Sequence, residues 1–171
     1  KYHSDAYGAV RNMLGIVSSE EPTDPDVADL DLVHHGPYAL EPDPGSGPAM
    51  GIPTPLFNLV YHDSIFLPWA ANPSKGAWGI PDNDIAYCHA MLNAGMPYIS
   101  NTPDNEEIKR VSVLLALHKR VALQEMVNHE FLDGNMRKQR TTFSDGTKVS
   151  VDFDSGEYSI EPALTETEMA N

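Results

Sequence analysis

The stretch that most constrains this chain runs from Pro55 to Trp69. Leu56, Phe57, Leu59 and Val60 form an almost continuous apolar run, which turns polar at Tyr61-His62-Asp63-Ser64. A run of that kind reads as a strand buried on both faces, as in a parallel sheet. The reading predicts a strand over roughly 56–62 that crosses a core and delivers polar side chains at its end.

The flanking segments supply what such a strand needs. Ser4 is placed to cap a helix over Asp5–Leu14, and Gly15 to end it. Ile16-Val17-Ser18-Ser19 reads as a short strand ending in Glu20-Glu21. Pro22 to Asp31 is acidic and broken by proline, hence a loop, and Leu30 to Val33 is a short extended piece. Residues 41–55 carry Pro42, Pro44, Gly45, Gly47, Pro48, Gly51, Pro53 and Pro55 and read as an irregular surface loop. Its length marks it as a functional loop rather than a simple connection. A second irregular segment, 68–81, holds Trp69 and Trp78.

Asp82 or Asn83 opens a helix to about Ala94, and Met96 to Ser100 reads as a third strand. The longest helix is expected from Asp104 or Asn105 to about 131, with an apolar surface wide enough to be covered on more than one side. Beyond it the period changes to two. Arg140–Phe143 and Thr147–Phe153 alternate around Ser144-Asp145-Gly146, a strong hairpin signal. The tail after Glu161 has little to bury and is expected to be mobile. Helices between short strands define an α/β class with a parallel sheet, followed by a β-rich region.

Composition narrows the function. A formal charge of −14 argues against nucleic acid and against an anionic membrane surface. No apolar run approaches the roughly 20 residues that span a bilayer. Compartment stays open, secreted or cytoplasmic. The single cysteine, Cys88, rules out an internal disulfide and reads as a small core residue. The first residue is Lys1 rather than Met, which fits processing or derivation from something longer. Zinc spacing, an EF-hand loop, a Walker loop, a dinucleotide glycine motif and a GxSxG elbow are all absent, so neither metal nor cofactor is expected.

Four segments carry a resemblance: Gly15-Ile16-Val17-Ser18-Ser19-Glu20, Pro55 to Asp63, Gly95-Met96-Pro97-Tyr98 and Arg140 to Val149. Over residues 3–158 the chain resembles the C-terminal part of the (β/α)8-barrel (TIM-barrel) catalytic domain of a large glycoside hydrolase, with the start of the β-sandwich that follows. Families acting on galactosyl or N-acetylgalactosaminyl linkages are among those it is similar to. The resemblance implies the last three βα units of a barrel over 1–134, a hairpin opening a sandwich-like region over 135–160 and a mobile tail over 161–171. A complete barrel takes about 250 residues, so this chain holds too few units to close one. The implied partners are a carbohydrate substrate and either the remainder of a barrel or another copy of the chain.

Glycoside hydrolysis takes two carboxyl groups flanking the scissile bond. Active residues of barrels sit at the C-terminal ends of strands. On that basis Glu20 is the candidate acid/base, with Glu21 as its adjacent alternative. Asp63 is the second catalytic candidate. His62, His35, Tyr61, Trp69 and Trp78 are candidate sugar contacts. Each has a plainer reading: Glu20 as a solvated loop acid, Asp63 as a cap satisfied by backbone amides, the tryptophans as buried loop anchors and Tyr61 as core. His34 and His35 adjoin and point oppositely in an extended chain, so they do not share a metal easily. His118, Glu125 and His129 share a helix face but spread over roughly 16 Å, too far for one metal ion. A non-catalytic carbohydrate-binding or protein-interaction α/β module is the alternative to the enzyme.

Overall fold

The computed structural model describes residues 2–20, 24–34, 54–70 and 84–170. In chain order these form α1 (Tyr2–Leu14), β1 (Ser18–Glu20), a 3-10 helix (Asp24–Asp29) and β2 (Leu32–His34). Next come α2 (Leu56–Tyr61), β3 (Pro68–Ala70), α3 (Asp84–Leu92), β4 (Met96–Tyr98) and α4 (Asn105–Val121). The chain continues through β5 (Met126–Leu132), β6 (Asn135–Phe143), β7 (Lys148–Asp152) and β8 (Glu157–Glu161) to α5 (Glu166–Ala170).

The first four strands form a parallel ladder in sequence order. β1 pairs with β2 and β3 with β4, both parallel. A parallel bridge between Leu32 and Phe66 joins the two pairs, with Val33 N–H donating to the Phe66 carbonyl at 3.0 Å. Val33, Leu67 and Trp69 are buried, and by alternation they turn one face of the ladder to the core.

Residues 56–62 are not the strand that the apolar run suggests. Leu56–Tyr61 is a helix, α2, and Leu56 and Val60, four residues apart, are 68% and 59% exposed. Short apolar runs do not distinguish strand from helix by periodicity alone. The strand comes one step later, where Ile65, Leu67 and Trp69 are buried in alternation.

The long helix is shorter than expected. It stops at Val121, and Met126–Leu132 is the first strand of an antiparallel sheet of order β5-β6-β7-β8. The sheet therefore begins inside the segment read as barrel. Its first hairpin turns on Asp133 and Gly134 (φ 53° and 68°), the left-handed pair that a tight two-residue turn requires. The second hairpin lies on Ser144-Asp145-Gly146 as expected, with Thr147 N–H donating to Asp145 Oδ1 at 2.8 Å.

The helix enclosed on all sides is α3 rather than α4. Tyr87 to Leu92 are almost fully buried between ladder and sheet. An all-round apolar helix has to be covered this way. Ladder, α3, α4 and sheet thus share one core, containing Trp69, Met91, Leu92, Leu114, Leu117, Phe143 and Val149. Cys88 is buried within it. Gly95 is required where α3 meets β4, because a Cβ there would lie 1.9 Å from Trp69 Cδ1. In place of a mobile tail the structure has α5. Arg120 grips it by donating from Nε and Nη2 to the two Glu168 carboxylate oxygens, both at 2.7 Å, and from Nη1 to the Pro162 carbonyl at 2.6 Å.

Candidate functional site

The C-terminal edge of the parallel ladder is the first place to look for chemistry. Ligands of open α/β sheets gather at the carboxyl ends of the strands. The four strand-terminal residues there are Glu20, His34, Ala70 and Tyr98. Glu20 and His34 are direct register partners, as are Ala70 and Tyr98. By alternation Tyr98 occupies the ladder face opposite Trp69.

Asp31 sets where β1 begins. Its carboxylate accepts from Val17 N–H at 2.8 Å and from Arg11 Nη1 at 3.0 Å. The Val17 N–H, and after it the Arg11 guanidinium, hold the Asp31 carboxyl below its usual range. Asp31 N–H in turn donates to the Val17 carbonyl at 2.9 Å. This reciprocal clasp aligns β1 with β2 and brings Glu20 opposite His34.

A buried carboxylate shapes the loop after β4. Glu107, 2% exposed, accepts from Ser100 N–H at 2.6 Å and from Ser100 Oγ at 2.8 Å. Asp104 caps α4 by accepting from Glu107 N–H at 2.8 Å. The loop Ile99–Asp104 is therefore tied to the helix it feeds, two residues after Tyr98. The Asp104-x-x-Glu107 spacing signals this kind of cap in the sequence. Its tie to Ser100 does not show there.

Asp63 is not at this edge. It lies in the turn after α2 and before β3, so it opens at the N-terminal ends of the strands. With His62, Asn58, Ser64, Glu125 and Met126 it lines a groove of about 550 Å³. There Asp63 accepts from Ser64 Oγ at 3.0 Å. The expected pairing of Glu20 with Asp63 rested on residues 56–62 being a strand, and the helix removes it.

The other expected sugar contacts divide similarly. His62 is buried, with Nδ1 at 2.8 Å from the Gln124 carbonyl and its ring 4.9 Å from that of Phe143. Burial holds its pKa below the usual imidazole value. It joins α2 to the start of the sheet. Tyr61 packs against Phe57 at 5.0 Å. Trp69 is 1% exposed and stacked on His89 at 6.4 Å, so it is a core residue and no cleft wall. His35, Trp78 and Glu21 lie outside the described residues, and of Glu20 and His34 the backbone is described. The proposed face of His118, Glu125 and His129 dissolves, since Glu125 follows the helix and His129 is on β5.

Three buried polar groups escaped the sequence reading. His89 sits between Trp69 and Phe153, and burial, then the Arg137 charge, pushes its pKa down to about 3. It is therefore a neutral core histidine. Asn58 donates from Nδ2 to Asn93 Oδ1 at 2.9 Å, fastening α2 to the end of α3. Among the described residues no cluster of three His, Cys, Asp or Glu could hold a metal ion. No described helix is long and apolar enough to cross a membrane.

No protein-family profile and no curated protein sequence matches the chain. Solved structures do. The chain is similar to a glycoside hydrolase, the alpha-N-acetylgalactosaminidase NagBb from Bifidobacterium bifidum. Against the ligand-free form the identity is 34% and the TM-score 0.77, over 92% of this chain and 25% of that one. The GalNAc complex gives 34% and 0.76, over 92% and 26%. The Gal-NHAc-DNJ complex gives 32% and 0.76 with the same coverage. The chain thus spans about a quarter of the length of the enzyme it matches.

Proposed function

We propose that this chain is part of a glycoside hydrolase acting on a terminal N-acetylgalactosaminyl group, with Glu20 as the acid/base carboxyl. The likeness to NagBb at 34% identity over 92% of the chain carries the reading. The β1–β4 ladder is then a late portion of a (β/α)8 barrel ending at α4, and the sandwich-like region starts at Met126. In this reading Glu20 protonates the leaving glycosidic oxygen while a second carboxyl attacks the sugar or activates water. We assign that second role to neither Asp63 nor Glu125, which line the groove at the opposite end of the strands. His34 ends β2 at the proposed active face; it and His35 are assigned to sugar hydroxyls, as is Trp78 by stacking. The edge of β1 that is unpaired among the described residues takes either further barrel strands or a second copy of the chain.

One observation favours a second reading, a non-catalytic carbohydrate-binding or protein-interaction module. Of the four strand-terminal residues, Glu20 alone carries a carboxylate, whereas the chemistry takes two.

Hydrolysis of an aryl alpha-N-acetylgalactosaminide separates them. It is measured for this chain, for a form extended by further barrel residues, and for each with Glu20→Gln. The enzyme reading expects the substitution to lower kcat by roughly 10²–10⁴-fold, the usual worth of a general acid. Undiminished turnover removes Glu20 from the mechanism. Sugar binding without turnover in both forms supports the module.

A further inference from the structure

We propose that Tyr98 is a substrate-contacting residue that helps to select the sugar bound at the Glu20 edge; this rests on the glycosidase reading above. Three observations support it. Tyr98 ends β4 at the same edge of the ladder as Glu20 and shares by alternation the face opposite Trp69.

Position across the ladder sets the span. The registers place Glu20 level with His34, His34 level with Pro68 through the Leu32–Phe66 bridge, and Pro68 level with Met96. Tyr98 is therefore three strands across and two residues farther along. At about 4.8 Å per strand and about 3.3 Å per residue the Cα atoms lie roughly 16 Å apart. A glutamate and a tyrosine at that separation can hold one or two pyranose rings between them. A phenol both stacks on an apolar sugar face and exchanges hydrogen bonds with its hydroxyl or amide groups.

Rigidity is the last argument. A selective contact has to be held by its surroundings. Tyr98 stands on a strand, and two residues later Ser100 is bound twice by buried Glu107. Tyr98 is half-buried, and burial pushes its phenol pKa up, so it stays a neutral donor at physiological pH.

The test measures binding of N-acetylgalactosamine to the chain by saturation-transfer NMR, for the unsubstituted protein, Tyr98→Phe and Tyr158→Phe. Tyr158 is a tyrosine of the sheet and serves as the control. The expected result is a Kd raised about fivefold or more by Tyr98→Phe, the worth of one hydrogen bond, with Tm unchanged and with no rise for Tyr158→Phe. An equal Kd for Tyr98→Phe overturns the inference and leaves the glycosidase reading standing. No binding by the unsubstituted protein, either as this chain or in the form extended by further barrel residues, overturns both.

Discussion

The parallel ladder and the antiparallel sheet are built by opposite means. Each ladder strand is three residues long, and its neighbours arrive through separate helices and loops. The sheet strands run from five to nine residues and follow one another through tight turns. Turn residues such as Gly134 and Gly146 set the sheet register locally. The ladder depends on contacts made far along the chain, such as Asp31 with Val17 and Asn58 with Asn93. The region with the weaker local signal is also the one whose strand ends carry the proposed site. That is a common division, since a rigid scaffold positions sites at strand ends and loops.

The largest test of this comparison is Trp69→Ala. Trp69 belongs to the ladder but lies in the core shared with the sheet. Its loss is expected to cost about 3–5 kcal/mol, as for other buried aromatics. Urea unfolding followed by amide exchange in both regions reads it. Loss of protection in the ladder with the sheet intact breaks the claim of one core. A cost near zero returns Trp69 to the surface.

Glu107→Ala comes next. It removes two hydrogen bonds to a buried carboxylate and is expected to cost about 2 kcal/mol. The loss should concentrate in the loop after β4, seen as faster exchange of the Ser100 amide. Uniform weakening without that local change contradicts the tie.

Gly134→Ala probes the sheet side. A Cβ at φ 68° meets no neighbouring atom, so the cost is backbone strain alone, about 1 kcal/mol. The midpoint of urea unfolding measures it. A cost as large as that of Trp69→Ala would erase the contrast between the regions.

The smallest effect is in pH. The Arg120 guanidinium and then the Thr165 N–H hold the Glu168 carboxyl down, to about 2. A depressed carboxyl contributes stability above its ordinary pKa and loses it as pH falls toward the folded value. The docking of α5 should therefore persist at neutral pH and fade between about pH 4.5 and about pH 2. Met169 resonances followed through that range report it, and Arg120→Ala should abolish the dependence.

The two regions also differ in how they read from sequence. The β6–β7 hairpin was legible because alternation and Ser144-Asp145-Gly146 act within a few residues. The same rule applied at Asp133-Gly134, but the apolar stripe of α4 continues in phase through Val127 and hid the change of period. Residues 56–61 misled because their apolar run is short, and nothing nearby says whether it is covered on two faces. Once that segment became a helix, Asp63 and His62 moved to the opposite end of the strands. Trp69, set among loop residues in the sequence, became the centre of the core. Glu20 kept its place because Ser18 and Ser19 lead to it directly along one strand.

By itself the sequence determined the net charge of −14, the turn of the second hairpin and the motifs that resemble a glycosidase. These depend on composition and on neighbours a few residues apart. Only the tertiary structure decided which strand ends meet, because strand register across helices is settled by packing. It joined Glu20 to His34 and Ala70 to Tyr98, and it turned Asp63 away. The physical reason is the parallel ladder: its pairings link distant residues, and no local pattern encodes which end of a strand a side chain will reach.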